Sequence, residues 1–215
     1  AVFQDFVNSG KYSFLIDTAL PTAFLKKGVS HHASKRRRQA FFKCSETIVN
    51  TLYNHPSVVY YTIFNEGWGQ FDSDNMYKYF KNLNKSRIFD TTSGWFKAQE
   101  SDVESEHVYF KKVKFKKSHK PFVLSEFGGY SYKPEGHVAN PYNTYGYRFF
   151  KEQNEFMDAL ETLYLSEIVP LIEKGLCATV YTQLSDVEDE TNGLLSYDRK
   201  ILKVDKNRMH KIAEK

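Results

Sequence analysis

The chain has 215 residues, 41% hydrophobic and 26% charged, which suits a globular protein with one domain and a sizeable core. Its 30 basic and 26 acidic side chains leave a net charge of +4, and no apolar run approaches the ~20 residues needed to span a bilayer. Two basic clusters, Lys35 to Arg38 and Lys111 to Lys117, come with no nucleic-acid fold motif and read as solvated surface, so neither a nucleic acid nor a membrane is an expected partner.

The opening, AVFQDFVNSG, lacks the basic start and cleavage site of a signal peptide. It begins inside a strand pattern, so the chain reads as a piece of something longer. Cys44 and Cys177 lie far apart without CxxC spacing. No disulfide framework or zinc site is expected. Both cysteines read as buried free thiols, which favours a reducing, cytoplasmic setting.

In chain order, the strand signals are Ala1–Gln4, Val58–Phe64, Ile88–Thr92, His107–Phe110, Phe122–Leu124 and Ala178–Leu184. Val58 to Phe64 is a continuous apolar run, the pattern of a parallel strand covered on both faces. Helical periodicity appears over Lys35–Tyr53 (Ala40, Phe41, Cys44, Ile48, Thr51, Leu52) and over Asp74–Leu83 (Met76, Tyr79, Phe80, Leu83). It continues over Gly146–Glu173 (Phe149, Phe156, Leu160, Leu163, Ile168, Leu171) and closes with Asp205–Ala213.

Alternating strands and helices predict an α/β fold with a parallel sheet. A closed barrel and an open doubly wound sheet both fit. The absence of GxGxxG and GxxxxGK[ST] favours the barrel.

Active sites of such barrels sit at the carboxyl ends of the strands. Two strand signals end there in glutamate: Ile63-Phe64-Asn65-Glu66-Gly67-Trp68 and Val123-Leu124-Ser125-Glu126-Phe127-Gly128-Gly129. An ionisable group directly after a buried apolar run costs desolvation unless it has a task; the bland alternative is a salt-bridged glutamate below the rim. Two carboxylates facing one another suit glycoside hydrolysis. Retaining enzymes of that kind hold them about 5–5.5 Å apart, whereas inverting enzymes need about 6.5–9.5 Å.

The stretch His55-Pro56-Ser57-Val58-Val59 through Asn65-Glu66 resembles the acid/base signature of glycoside hydrolase family 2, and Ser125-Glu126-Phe127-Gly128-Gly129 resembles its nucleophile strand. The resemblance implies a (β/α)8 TIM barrel, with Glu66 after strand four as acid/base and Glu126 after strand seven as nucleophile. On that count residues 1–215 form one partial barrel domain with strands three to eight present and strands one and two missing. The family's jelly-roll and immunoglobulin-like domains would also be absent. Open edges at strands three and eight would invite a homo-oligomer.

By the same resemblance Asn65 binds the sugar 2-OH and Tyr109 hydrogen-bonds the nucleophile. A turn residue and an apolar core tyrosine are the respective alternatives. His107, two residues before Tyr109, is a further substrate-binding candidate. Asp5, ending strand three, is expected to bind a sugar hydroxyl or brace the acid/base; Trp68 and Trp95 follow strand ends, where an indole either stacks on a sugar ring or simply packs.

The pattern departs from the family on strand eight, where Thr182 stands in place of the usual tryptophan floor, leaving Tyr181 or Trp95 to remake it. It departs again at Thr191-Asn192-Gly193-Leu194, which lacks the lysine that holds a uronate. The nearby Asp186, Glu188, Asp189 and Glu190 would repel a uronate; a solvated turn, or less readily a weak cation site, is the alternative. A neutral β-glycoside, β-galactoside by default, is therefore the expected carbohydrate substrate, with neither metal nor cofactor required. The alternative is a fragment that binds sugar, or serves structurally, without turnover.

Overall fold

The structure is a computed structural model that describes residues 1–8, 15, 34–66 and 69–215. Contacts divide it into two compact units: residues 1–107 with 118–121, and residues 108–117 with 122–215.

The first unit contains a three-stranded parallel sheet of β1 (Val2–Asp5), β2 (Val58–Asn65) and β3 (Ile88–Ser93), in that spatial order. Helices α1 (Lys35–Leu52) and α2 (Ser73–Leu83) connect them. α1 starts at Ser34, whose hydroxyl accepts from the Arg37 N–H, a side-chain N-cap. It buries Phe41, Ser45 and Val49. Phe41 and Val49 pack with Phe6, Tyr61, Ile63, Phe64, Phe80 and Phe89 into a largely aromatic core. β2 is covered along most of its length, as the unbroken apolar run predicts. Cys44 lies off the buried stripe and is exposed, and so is Cys177. The expectation of buried thiols is therefore wrong for both. In α1 the core-facing row runs through Phe41, Ser45 and Val49, one position away from Cys44.

The strand expected at His107–Phe110 is instead β4 (Glu104–Val108). Its polar run Glu104-Ser105-Glu106 masks it in sequence. Ser105 is buried and accepts from the Gly94 N–H.

In the second unit β5 (Phe122–Gly128) pairs in parallel with β8 (Leu176–Thr182). β5 runs four residues past the expected Leu124, and β8 starts two residues before the expected Ala178. The helix expected over Gly146–Glu173 is broken. Its first part is a short strand, β7 (Arg148–Phe150), paired with β6 (Tyr130–Tyr132), and Phe149 is 59% exposed. α3 (Gln153–Leu163) then passes through a π turn (Tyr164–Ile168) into α4 (Val169–Ile172). Pro170, which has no backbone N–H, stands just beyond that turn. The core here joins Phe122, Leu124, Phe127, Phe156, Leu160 and Leu171 with Ile212 of α5 (Lys206–Ala213).

The acidic turn after β8 is not simply solvated. Asp186 is 1% exposed. It accepts from Lys203 Nζ at 2.8 Å and from the Gly193 N–H at 2.8 Å. Lys203 also donates to the Thr191 carbonyl at 2.7 Å. Burial raises the Asp186 pKa and lowers that of Lys203, and the contact between them opposes both shifts. Removing one partner leaves an uncompensated buried charge. Lys203→Ala is therefore expected to cost about 3–5 kcal/mol in chemical denaturation, and Lys206→Ala, on the exposed start of α5, within about 0.5 kcal/mol of nothing.

Candidate active site

In the first unit β2 delivers Asn65 as its last residue, in register with Ser93 of β3. Glu66 follows with φ +52°, a left-handed conformation that costs a non-glycine residue about 1–3 kcal/mol and is tolerated where surrounding contacts enforce it. The contact here is His107. Its Nδ1 lies 3.0 Å from Glu66 Oε1 and its Nε2 3.0 Å from Ser93 Oγ. Glu66 and His107 are 5% and 3% exposed. Gly94, at φ +90°, leaves room for the imidazole: a Cβ there would stand 2.5 Å from His107 Cγ.

Beside this set, Tyr60 donates to Asp90 at 2.7 Å. Desolvation raises the Asp90 pKa against hydrogen bonds from Ser105 and Tyr60. It also pushes the Tyr60 phenol far above its ordinary range, reinforced by Asp90. Asp5, at the exposed end of β1, pairs in register with Thr62. Although the residue is exposed overall, enough protein surrounds its carboxyl to raise its pKa, opposed by a Thr62 hydrogen bond and by His107.

In the second unit Glu126 lies within β5, half-buried. Tyr109 donates to its Oε2, and Thr182 of β8 approaches the same oxygen at 3.5 Å. Tyr109 stacks on Tyr147, with centroids 4.0 Å apart and planes 11° apart. Burial and then Glu126 push the Tyr109 phenol far above its ordinary range. Gly128, at φ +86°, admits the Tyr181 ring, which an added Cβ would meet at 2.3 Å. Tyr181 packs against Phe127 and Tyr164.

The structure thus joins Glu66 to His107, and Glu126 to Tyr109. It gives His107 to the glutamate and to Ser93. Trp95 is half-buried two residues past β3. Trp68 lies outside the described residues. Ser93, Tyr60, Asp90 and Tyr147 escape a reading of sequence; Ser93 is visible only as a polar end to a β-branched strand.

Comparison with known proteins bears on the family and the fold. The family model described as "Glycosyl hydrolases family 2, TIM barrel domain" matches residues 28–203. No curated protein matches the chain. Among solved structures it is similar to a family 2 β-galacturonidase from Eisenbergiella tayi bound to galacturonate. The two are 16% identical with a TM-score of 0.49, and the match covers 79% of this chain and 37% of that one. The chain spans well under two thirds of that protein's length. The family model makes the fold a partial (β/α)8 barrel.

Both raised phenols have a consequence for alkaline behaviour. A phenol whose folded pKa lies above its unfolded value of about 10 adds stability that is present below pH 10 and lost as pH rises past it. In an ultraviolet titration, Tyr109→Phe and Tyr60→Phe are each expected to leave the number of tyrosines ionising between pH 9 and 11 unchanged. A drop of one in either variant would contradict the assignment.

Proposed function

This chain belongs to glycoside hydrolase family 2, and from that premise we propose that it is the catalytic part of a retaining β-glycosidase, with Glu126 as nucleophile and Glu66 as acid/base. The observation that carries the reading is that each glutamate, at or just past the carboxyl end of a parallel strand, is held by a dedicated partner: His107 for Glu66 and Tyr109 for Glu126.

Glu126 attacks the anomeric carbon as the glycosidic C–O bond breaks, and the departing oxygen takes the proton of Glu66. Water then gives a proton to Glu66 and attacks the same carbon, releasing Glu126 as carboxylate. Tyr109 supports the ionised nucleophile with its O–H, and Thr182 stands near the same oxygen. His107 orients the Glu66 carboxyl, with Ser93 fixing the far side of the ring. Asn65 is assigned to the sugar 2-OH, Trp95 and Trp68 to ring stacking, and Asp5 to a sugar hydroxyl.

A neutral glycone, β-galactoside first, is favoured by Glu188, Asp189 and Glu190 after β8 and by the lack of a lysine at 191–194. β1 and β8 are sheet edges among the described residues, and self-association through them is part of the same proposal.

The test is hydrolysis of 4-nitrophenyl β-galactoside, with the β-glucuronide as comparison. Glu126→Gln is expected to lower kcat at least ~10³-fold. Glu66→Gln is expected to lower kcat/KM about 10²–10⁴-fold for substrates whose leaving group needs a proton and much less for 2,4-dinitrophenyl glycosides, whose kcat still falls because Glu66 no longer takes the proton of the attacking water. Turnover that survives Glu126→Gln would sink the assignment. Sugar binding without turnover would favour the alternative of a binding fragment.

A further inference from the structure

The second unit contains a cavity of about 290 Å³ that the hydrolytic scheme leaves unused. Tyr109, Phe110, Lys111, Lys112, Tyr147 and Arg148 line it. Its size sits at the low end of small-molecule sites, ~300–1,000 Å³, and suits one sugar ring.

Its wall carries three cations, Lys111, Lys112 and Arg148, and one carboxylate, Glu167. Among the described residues no carboxylate pairs with Lys111, Lys112 or Arg148. Glu167, also on the wall, has Oε2 occupied by the Val113 N–H at 2.8 Å. The Arg148 guanidinium is pinned over two rings, 5.4 Å from the Tyr130 centroid and 5.1 Å from that of Phe150. Such pinning limits where its donor edge points. The two lysines begin the run KKVKFKK, which is anchored from within. Val113 is 4% exposed, and Phe115 packs edge-on to Phe122 at 5.5 Å. The run is thus a held segment that turns its charges outward.

Its aromatic lining is continuous with the candidate nucleophile. Phe110, 77% exposed, meets Tyr147 edge-to-face at 4.9 Å. Tyr147 stacks on Tyr109, and Tyr109 donates to Glu126. Rings that stack on the C–H face of a sugar, next to three cations, describe a site for an acidic sugar.

We propose that this cavity binds a sugar of the substrate next to the one bonded at Glu126 and holds an anionic substituent of it, a carboxylate or a sulfate, through Arg148, Lys111 and Lys112. The proposal rests on Glu126 being the nucleophile, because Tyr109 is then shared between the reacting centre and the cavity. It separates the two ends of the substrate by charge: neutral beside the acidic turn after β8, anionic at the cavity.

The experiment is calorimetric titration of the whole chain with three β-linked disaccharides that share a galactose at the non-reducing end. One carries a uronic acid at the reducing end, one a 6-sulfated hexose and one a neutral hexose. The wild-type protein is compared with Arg148→Gln and with Lys111→Gln/Lys112→Gln, all exposed positions, each checked for folding by circular dichroism. At least one acidic disaccharide is expected to bind tenfold or more tighter than the neutral one. That preference should fall below threefold in either variant while neutral binding stays level, and it should shrink between 50 and 500 mM salt. Which acid is preferred identifies carboxylate or sulfate. Equal affinity for acidic and neutral sugars in the wild type, or a preference that survives both variants, overturns the proposal. Charge-dependent binding without hydrolysis would uphold the cavity and remove the catalytic reading; hydrolysis without charge preference would do the reverse.

Discussion

A carboxyl group taken out of water needs a hydrogen-bonding partner, and much of the first unit is arranged to supply one to Glu66. The imidazole of His107 must reach it, so Gly94 carries no side chain and Ser93 accepts or donates at the opposite ring nitrogen. β3 and β4 bring those three residues to one place. The strained backbone of Glu66 itself is held there by the same contact and by the end of β2. In the second unit the corresponding requirement falls on Glu126, and Tyr109 and Thr182 meet it with hydroxyl groups. Two carboxylates with unlike partners, an imidazole and a phenol, have unlike environments, and that is the condition for one to serve as an acid and the other as a nucleophile.

Strands whose burial is complete were legible because their sequence is uniformly apolar: Val58 to Phe64 left no other reading. Both glutamates stood out for the same reason, as charges placed directly after such runs. Boundaries failed where polar residues face the interior. Ser105 hid the start of β4, and Ser125 with Glu126 hid the second half of β5. The segment after Gly146 misled because Phe149, Phe156 and Leu160 keep a helical spacing across a strand-to-helix junction. β7 exists only through its pairing with β6, a long-range contact that local periodicity does not encode. Cys44 shows the same limit within a helix: a rotation of one position separates the buried row from the exposed one. Site residues such as Ser93 and Tyr147 act through partners distant in sequence, and a chain read in order gives no sign of those partners.

Charge in the second unit is sorted by depth. Asp186 and Lys203 neutralise one another in the interior, where an unpaired charge would cost most. Lys111, Lys112 and Arg148 remain available at a cavity wall. The run KKVKFKK reads as solvated surface in sequence, but its two apolar residues tie it down, and a tied-down cationic segment can discriminate among ligands in a way that a loose one does not.

Glu126 is proposed as the residue that bonds to sugar. Incubation with 2,4-dinitrophenyl 2-deoxy-2-fluoro-β-galactoside, followed by proteolysis and peptide mass spectrometry, tests this without help from Glu66, because dinitrophenolate leaves without a proton. A fluorogalactosyl adduct on the peptide containing Glu126, absent in Glu126→Gln and present in Glu66→Gln, is the predicted result. An adduct on another residue, or hydrolysis of β-galactosides with no adduct at all, would contradict it.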